Sequence, residues 1–347
     1  MRFGLIGFGA WGKHHADAIT RLPGLTLAAI GCGSAESVRA AQSSHPAARV
    51  TGDWREVLAM PDIDAIDVVT PNHLHAEVAI AAMRAGKDVL VEKPMAISDA
   101  ECRDLLAAER ETDRVVSVGH ELRQSAQWGR IKTLIDEDAI GAPLFLNFSL
   151  FRNFYRPGAA GWRYDPARVG SWMLEEAIHY LDLTLWYFAR HGDPVSVRTY
   201  GSARPGRGDG MHDNVTVVLR YADGAYATLN HCVAGFEHHV VLEIAGTDGA
   251  IRTHWSGTMD RDDRAGYDLR VQPRGFAFER GVRECEHLAI ERSGEVFELT
   301  EQIRLTADAF TERRALVSAH EARKRVLLCI AAERSLAESR EIELSLT

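Results

Sequence analysis

An α/β domain on a mostly parallel sheet, followed by an α+β domain with a large, mostly antiparallel open-faced sheet, is the fold class these 347 residues predict. Three observations carry it. Up to about residue 120, short apolar runs alternate with helix-length segments, the rhythm of βαβ crossovers. A glycine triplet, Gly7-x-Gly9-x-x-Gly12, separates the first run from the first of those segments. From Val195 onward apolar runs follow one another at hairpin spacing, with no helix-length segment between them.

In chain order, Phe3 to Ile6 reads as a strand and Trp11 to Leu22 as the helix after it. Leu25 to Ile30, Ile66 to Val69, Asp88 to Val91 and Val115 to Val118 read as further strands, with a helix over His75 to Ala85. The first domain is therefore expected over 1–120 and the second over 121–347. In the second, Ile131 to Asp136 ends a helix and Pro143 to Phe151 is a strand. A loop rich in Gly, Pro and aromatic residues covers Arg152 to Gly170, and a helix apolar on more than one face follows over Trp172 to Phe188. Strands are expected over 195–200, 214–221, 225–233, 239–244 and 250–254, the Asp223-Gly224 step closing a hairpin. A long charged helix with an internal break spans about Glu301 to Ser339.

Composition narrows the function classes. With 46% hydrophobic and 26% charged residues the chain reads as globular, and a net charge of -9 argues against a nucleic-acid binder. No apolar run approaches the length of a membrane span, and no secretory leader opens the sequence, which leaves the cytoplasm as the default. The five cysteines lack any C-x-x-C spacing, so neither a disulfide framework nor a zinc ribbon is expected. No metal is expected either: His120-Glu-Leu-Arg-Gln124 fails H-E-x-x-H at its last position, and the adjacent pairs His14-His15 and His238-His239 diverge on a helix or strand.

Gly7, Phe8, Gly9, Ala10, Trp11 and Gly12 form a strand–turn–helix loop of the Rossmann type. Its glycines permit a tight turn and let a dinucleotide pyrophosphate meet the helix N-terminus. An acid that would take the ribose hydroxyls of NAD is missing from Ile30-Gly-Cys-Gly-Ser34. That small neutral loop leaves room for a 2′-phosphate, with Ser34 as donor and Arg39 as charge partner, and favours NADP over NAD.

With these motifs the chain resembles the Gfo/Idh/MocA oxidoreductase family. The resemblance rests on Gly7 to Gly12, Thr70-Pro71-Asn72 with His75, Ala85 to Pro94 with its Glu92-Lys93-Pro94, Ser117 to Arg123, Ile140-Gly141, His179-Tyr-Leu-Asp182 and Glu243 to Gly249. It implies an NAD(P)-binding Rossmann domain and an open-faced sheet used for homo-oligomerisation, as a dimer or tetramer. It also implies a small-molecule substrate, a sugar or cyclitol. By position, Lys93 and His179 match the family's catalytic pair. Glu175 stands where its acid is usually Asp, and Thr70, Pro71, Asn72, His75, Glu92 and Lys93 border the cofactor.

The chemistry agrees with that assignment. On a helix Glu175, His179 and Asp182 share one stripe, and ionisable groups are costly to bury without partners. Lys93 follows a strand at the sheet edge where open α/β sheets bind ligands, and can stabilise an alkoxide. His179 suits the base that takes the hydroxyl proton while the hydride passes between carbinol and nicotinamide. Glu175, one methylene longer than Asp, is expected to reach deeper or to meet Lys93 directly. His120, Trp162 and Trp172 join Lys93, Glu175 and His179 as candidate substrate contacts, the indoles through sugar C–H faces. Two alternatives stay open: transient oxidation by tightly held NAD followed by hydrolysis or elimination, and a non-catalytic dinucleotide-binding regulator.

Overall fold

The computed structural model describes residues 1–206, 210–259, 261–274 and 285–346. They form two compact units, the first made of Met1–His120, Pro157–Glu175 and Leu299–Leu327, the second of Glu121–Arg156, Glu176–Glu298 and Leu328–Thr347.

In the first unit six parallel strands, β1 (Arg2–Ile6), β2 (Thr26–Gly31), β3 (Arg49–Thr51), β4 (Ala65–Val68), β5 (Asp88–Glu92) and β6 (Val116–Gly119), take the order β3-β2-β1-β4-β5-β6. Their helices are α1 (Ala10–Arg21), α2 (Ala35–Ser44), α3 (Trp54–Leu58), α4 (His75–Arg84) and α5 (Asp99–Thr112). The strand interiors are apolar on both faces, as a sheet covered on both sides requires, except for the buried Asp67 of β4. The order reverses between β1 and β4, the point where doubly wound sheets open a crevice at their carboxyl ends. Leu299, Ile303, Ala307 and Phe310, spaced as one helical stripe, join the core around Phe3, Leu5 and Ile30.

In the second unit nine strands are ordered β14-β13-β12-β11-β7-β10-β9-β8-β15. They are β7 (Pro143–Phe151), β8 (Ser196–Ser202), β9 (Asn214–Arg220), β10 (Tyr226–Cys232), β11 (His238–Gly246), β12 (Ala250–Gly257), β13 (Gly266–Gln272), β14 (Glu286–Leu288) and β15 (Ile342–Glu343). All pairings are antiparallel except β7 with β10. One face packs on helices α6 (Trp128–Asp136) and α8 (Ile178–Tyr187), where Phe148 meets Trp128, Tyr180 and Tyr187. The strands alternate buried with partly exposed residues, so the other face is open; it carries a hydrogen-bonded set of Asn147, Thr216, Thr228 and Asn230.

The terminal charged segment breaks inside, as expected, into two helices, α9 (Glu295–Thr311) and α10 (Ala319–Glu338), with Arg313 at φ +56° between them. Two local features differ from expectation. A four-residue helix, α7 (Pro166–Val169), interrupts the aromatic-rich loop, started by the Asp165 side chain capping Ala167 N. The buried helix opens with a π turn over Met173–Ala177, which sequence periodicity cannot show. Among the described residues no helix is long and apolar enough to cross a membrane.

Candidate active site

The three glycines have three distinct jobs. Gly7 has φ +106°, and a Cβ there would lie 2.2 Å from the Val69 carbonyl oxygen. A Cβ on Gly12 would lie 2.0 Å from the Gly7 carbonyl oxygen, so α1 can pack on the loop only without a side chain. Gly9 has nothing within 4 Å, leaving a space open to a ligand. Gly9 is also the N-cap of α1, with no side-chain cap and no acid in the first turn. Its orphan N–H groups and the helix dipole therefore face that space uncompensated, which suits a pyrophosphate. Phe8 is buried against His45, Ala10 is exposed, and Trp11 is half-buried against His14 and His15. The cradle predicts its own test. Gly9→Ala should leave thermal stability within about 1 kcal/mol of wild type, the usual scale for an N-cap change. Dinucleotide affinity by fluorescence titration should fall at least about tenfold, because the methyl occupies the phosphate's place; unchanged affinity would remove the cradle from consideration.

Beyond β2 the neutral loop runs Gly31-Cys32-Gly33-Ser34. Ser34 caps α2, accepting from Ser37 N at 3.1 Å in a reciprocal capping box. Its hydroxyl is thus already engaged. Arg39 is exposed on α2 and has no partner among the described residues.

The ends of β4 and β5 are tied together by His75. Its Nδ1 lies 2.7 Å from the Pro94 carbonyl and its Nε2 2.7 Å from the Thr70 carbonyl. Burial pushes its pKa down, against the pull of these two carbonyls. Thr70 Oγ1 is buried and unpartnered among the described residues, a group a ligand could satisfy.

Beneath this edge lies a cluster that the motifs alone do not reveal. The His15 ring is fully buried, with Nδ1 2.7 Å from Asp67 Oδ2 and Nε2 3.2 Å from Glu92 Oε1. Burial alone would lower the imidazole pKa, but Asp67 and Glu92 overcome it and push it up to about 10. Burial likewise opposes ionisation of Glu92, yet His15 and Lys93 hold it down at about 2, and burial pushes Asp67 up. Glu92 therefore aims its carboxylate into the interior at His15.

Lys93 Nζ donates to the backbone carbonyl of Glu175 at 2.6 Å. The expected side-chain contact between Glu175 and Lys93 is replaced by this main-chain one, because the Glu175 carboxylate is taken elsewhere. Its Oε1 accepts from Arg163 Nε at 2.6 Å and its Oε2 from Asn72 Nδ2 at 3.1 Å. Asn72 Nδ2 also donates to the Val169 carbonyl. Trp172 is buried, its indole N–H on the Arg163 carbonyl at 3.0 Å and its ring edge-on to Tyr164. Trp162 is nearly buried beneath the Arg163 guanidinium, and His120 is buried after β6.

In the second unit His179 is buried, its Nδ1 3.8 Å from Glu121 Oε1. Glu121, His179 and Glu295 bring donor atoms within 4.8 Å of one another, a grouping that could hold a metal ion and that no spacing in the sequence announces. Asp182 is not spare polar surface: it takes a two-pronged ion pair from buried Arg123. Glu176 pairs through its Oε2 with Arg152 Nη1. The predicted stripe of Glu175, His179 and Asp182 is thus three ionisable groups with three separate sets of partners.

The comparisons with known proteins agree with these motifs. A family model described as an oxidoreductase family with an NAD-binding Rossmann fold matches residues 1–120, and the GFO/IDH/MocA C-terminal domain model matches 128–252. Levoglucosan dehydrogenase of Pseudarthrobacter phenanthrenivorans is 29% identical over 283 residues, 72% of this chain and 73% of the relative. The 1,5-anhydro-D-fructose reductase of Ensifer adhaerens is 30% identical over 253 residues, 72% of this chain and 74% of the relative. A levoglucosan dehydrogenase structure in complex with NADH and L-sorbose superposes with a TM-score of 0.83 at 25% identity, covering 99% of each chain. The chain is an oxidoreductase and belongs to the Gfo/Idh/MocA family.

Proposed function

We propose that this enzyme is an NAD(P)-dependent dehydrogenase that interconverts a secondary alcohol and a ketone on a sugar, glycoside or cyclitol. The observation that supports the reading most is the Lys93 ammonium at the edge of the Rossmann sheet, 2.6 Å from the Glu175 carbonyl and in the same unit as the open glycine cradle. When bound, the nicotinamide supplies hydride acceptance and donation. Gly7 to Gly12, Thr70, Pro71, Asn72 and His75 are proposed to hold the dinucleotide. In this reading Lys93 polarises the reacting oxygen, and His179 takes the hydroxyl proton. Glu175 binds a neighbouring hydroxyl. Residues 1–120 would serve the dinucleotide and 121–347 the substrate and homo-oligomer contacts. Relatives bearing the names levoglucosan dehydrogenase, 1,5-anhydro-D-fructose reductase and inositol 2-dehydrogenase support the substrate class.

The decisive experiment follows NAD(P)H absorbance over a panel of sugars, anhydrosugars and cyclitols with each cofactor separately. Turnover of none of them would sink the reading. NADP is the proposed preference, because the loop after β2 lacks an acid and Arg39 stands without a partner among the described residues. Arg39→Ala should raise the Kd for NADP about tenfold, the worth of one charge-assisted contact, and leave NAD within about twofold. Equal effects on both cofactors would contradict it.

A further inference from the structure

We propose that His15, clamped between Asp67 and Glu92, is a positioning residue for Lys93: it draws the Glu92 carboxylate into the interior and so leaves the neighbouring ammonium to the reacting oxygen. The proposal rests on the dehydrogenase reading above and adds a residue of the helix after the glycine loop to the apparatus around Lys93.

Glu92 and Lys93 are consecutive, so a carboxylate on a flexible stem stands next to the ammonium in the chain. An ammonium held by that carboxylate would stabilise a developing alkoxide poorly, because its charge would already be cancelled. Glu92 is seated elsewhere. Its Oε1 lies 3.2 Å from His15 Nε2, and among the described residues this is its one ion pair. Gly119, its partner across β5 and β6, clears the seat: a Cβ there would lie 2.9 Å from Glu92 Oε1 and 3.2 Å from Cδ. The Lys93 ammonium meanwhile donates to the Glu175 main-chain carbonyl at 2.6 Å, a neutral partner that leaves its charge in place.

Asp67 makes His15 the counter-charge. His15 Nδ1 lies 2.7 Å from Asp67 Oδ2, which fixes the ring and turns Nε2 toward Glu92. Burial works against a charged imidazole, but the two carboxylates outweigh it, so the ring stays a cation past neutral pH. The other groups that act on the Glu92 charge are Lys93 and His75, and burial keeps His75 neutral. With the His15 cation removed, Lys93 is therefore the positive charge left for Glu92 to pair with.

A charge cycle tests it. His15→Leu and the double variant His15→Leu with Glu92→Gln are assayed on the best substrate of the panel, below the melting transition of each. His15→Leu should lose about tenfold or more in kcat, with KM and the dinucleotide Kd within about threefold, because masking one oxyanion donor costs part of what deleting it does. Adding Glu92→Gln should restore at least about threefold of that loss, since a neutral amide does not hold the ammonium. The ε-carbon NMR resonance of Lys93, one of five lysines, should move in His15→Leu and return toward its wild-type position in the double variant, with no substrate present. If His15→Leu does not fold, His15→Gln, neutral but polar, should show the same pattern. An unchanged kcat would overturn the proposal. So would a loss that Glu92→Gln leaves unrelieved while the Lys93 resonance stays put, which would make the cluster structural only. Failure of wild type to turn over any substrate of the panel is a different result: it refutes the dehydrogenase reading, and the Lys93 resonance still decides whether His15 governs its surroundings.

Discussion

Lys93→Ala should lose about a hundredfold to a thousandfold in kcat while binding dinucleotide as wild type does. Removing one donor aimed at a developing oxyanion costs about 3 to 4 kcal/mol in kcat. The change also removes a positive charge that helps hold Glu92 ionised and the bond to the Glu175 carbonyl. Neither group belongs to the open face at Gly9, so the Kd for the dinucleotide should stay within about twofold. Single-turnover kinetics separate the two quantities: the hydride step should slow while cofactor titrations superimpose. Turnover within tenfold of wild type would remove Lys93 from the reaction, and lost dinucleotide binding would make its role structural.

Much of the architecture is legible in the sequence because it follows from short-range rules. Alternating apolar runs and helix-length segments give the parallel sheet, and Gly7, Gly9 and Gly12 announce a loop whose backbone admits no side chain at two of its three positions. The Asp223-Gly224 step closes the β9–β10 hairpin where expected. What escapes is pairing at long range. His15 reads as one of two adjacent histidines on an amphipathic helix; nothing local says that Asp67 and Glu92 converge on it. The stripe Leu299, Ile303, Ala307 and Phe310 is visible as a helical period, but a period does not name the sheet it covers. Arg163 reads as one of several solvated arginines in an aromatic loop. Its hold on Glu175 depends on Trp162 and Gly158, which seat it. Glu175 itself stands out for its extra methylene, and that length is spent on Arg163 and Asn72 rather than on Lys93.

The buried cluster under the sheet edge makes a stability prediction of comparable size. His15→Leu removes the one cation between two buried carboxylates, and breaking a buried ion pair from one side costs about 3 to 5 kcal/mol. Chemical denaturation at pH 7 should show that loss. A further change of Asp67→Asn should recover part of it, because one carboxylate fewer then lacks a counter-charge. The sign of the pH dependence follows from how folding moves each group. His15 rises from 6.5 to about 10 on folding, so its contribution is complete below pH 6.5 and is lost as pH climbs toward 10. Glu92 falls from 4.5 to about 2, so its contribution is complete above pH 4.5 and is lost as pH falls toward 2. Asp67, raised by burial, works against Glu92 on the acid side and shallows that limb. Wild type should therefore be most stable between about pH 4.5 and 6.5 as far as this cluster governs it. A tenfold change in proton affinity on folding is worth about 1.4 kcal/mol, so both limbs should be measurable. In His15→Leu the loss between pH 6.5 and 10 should flatten. An alkaline limb as steep in the variant as in wild type would mean that His15 is not the cation holding α1, β4 and β5 together.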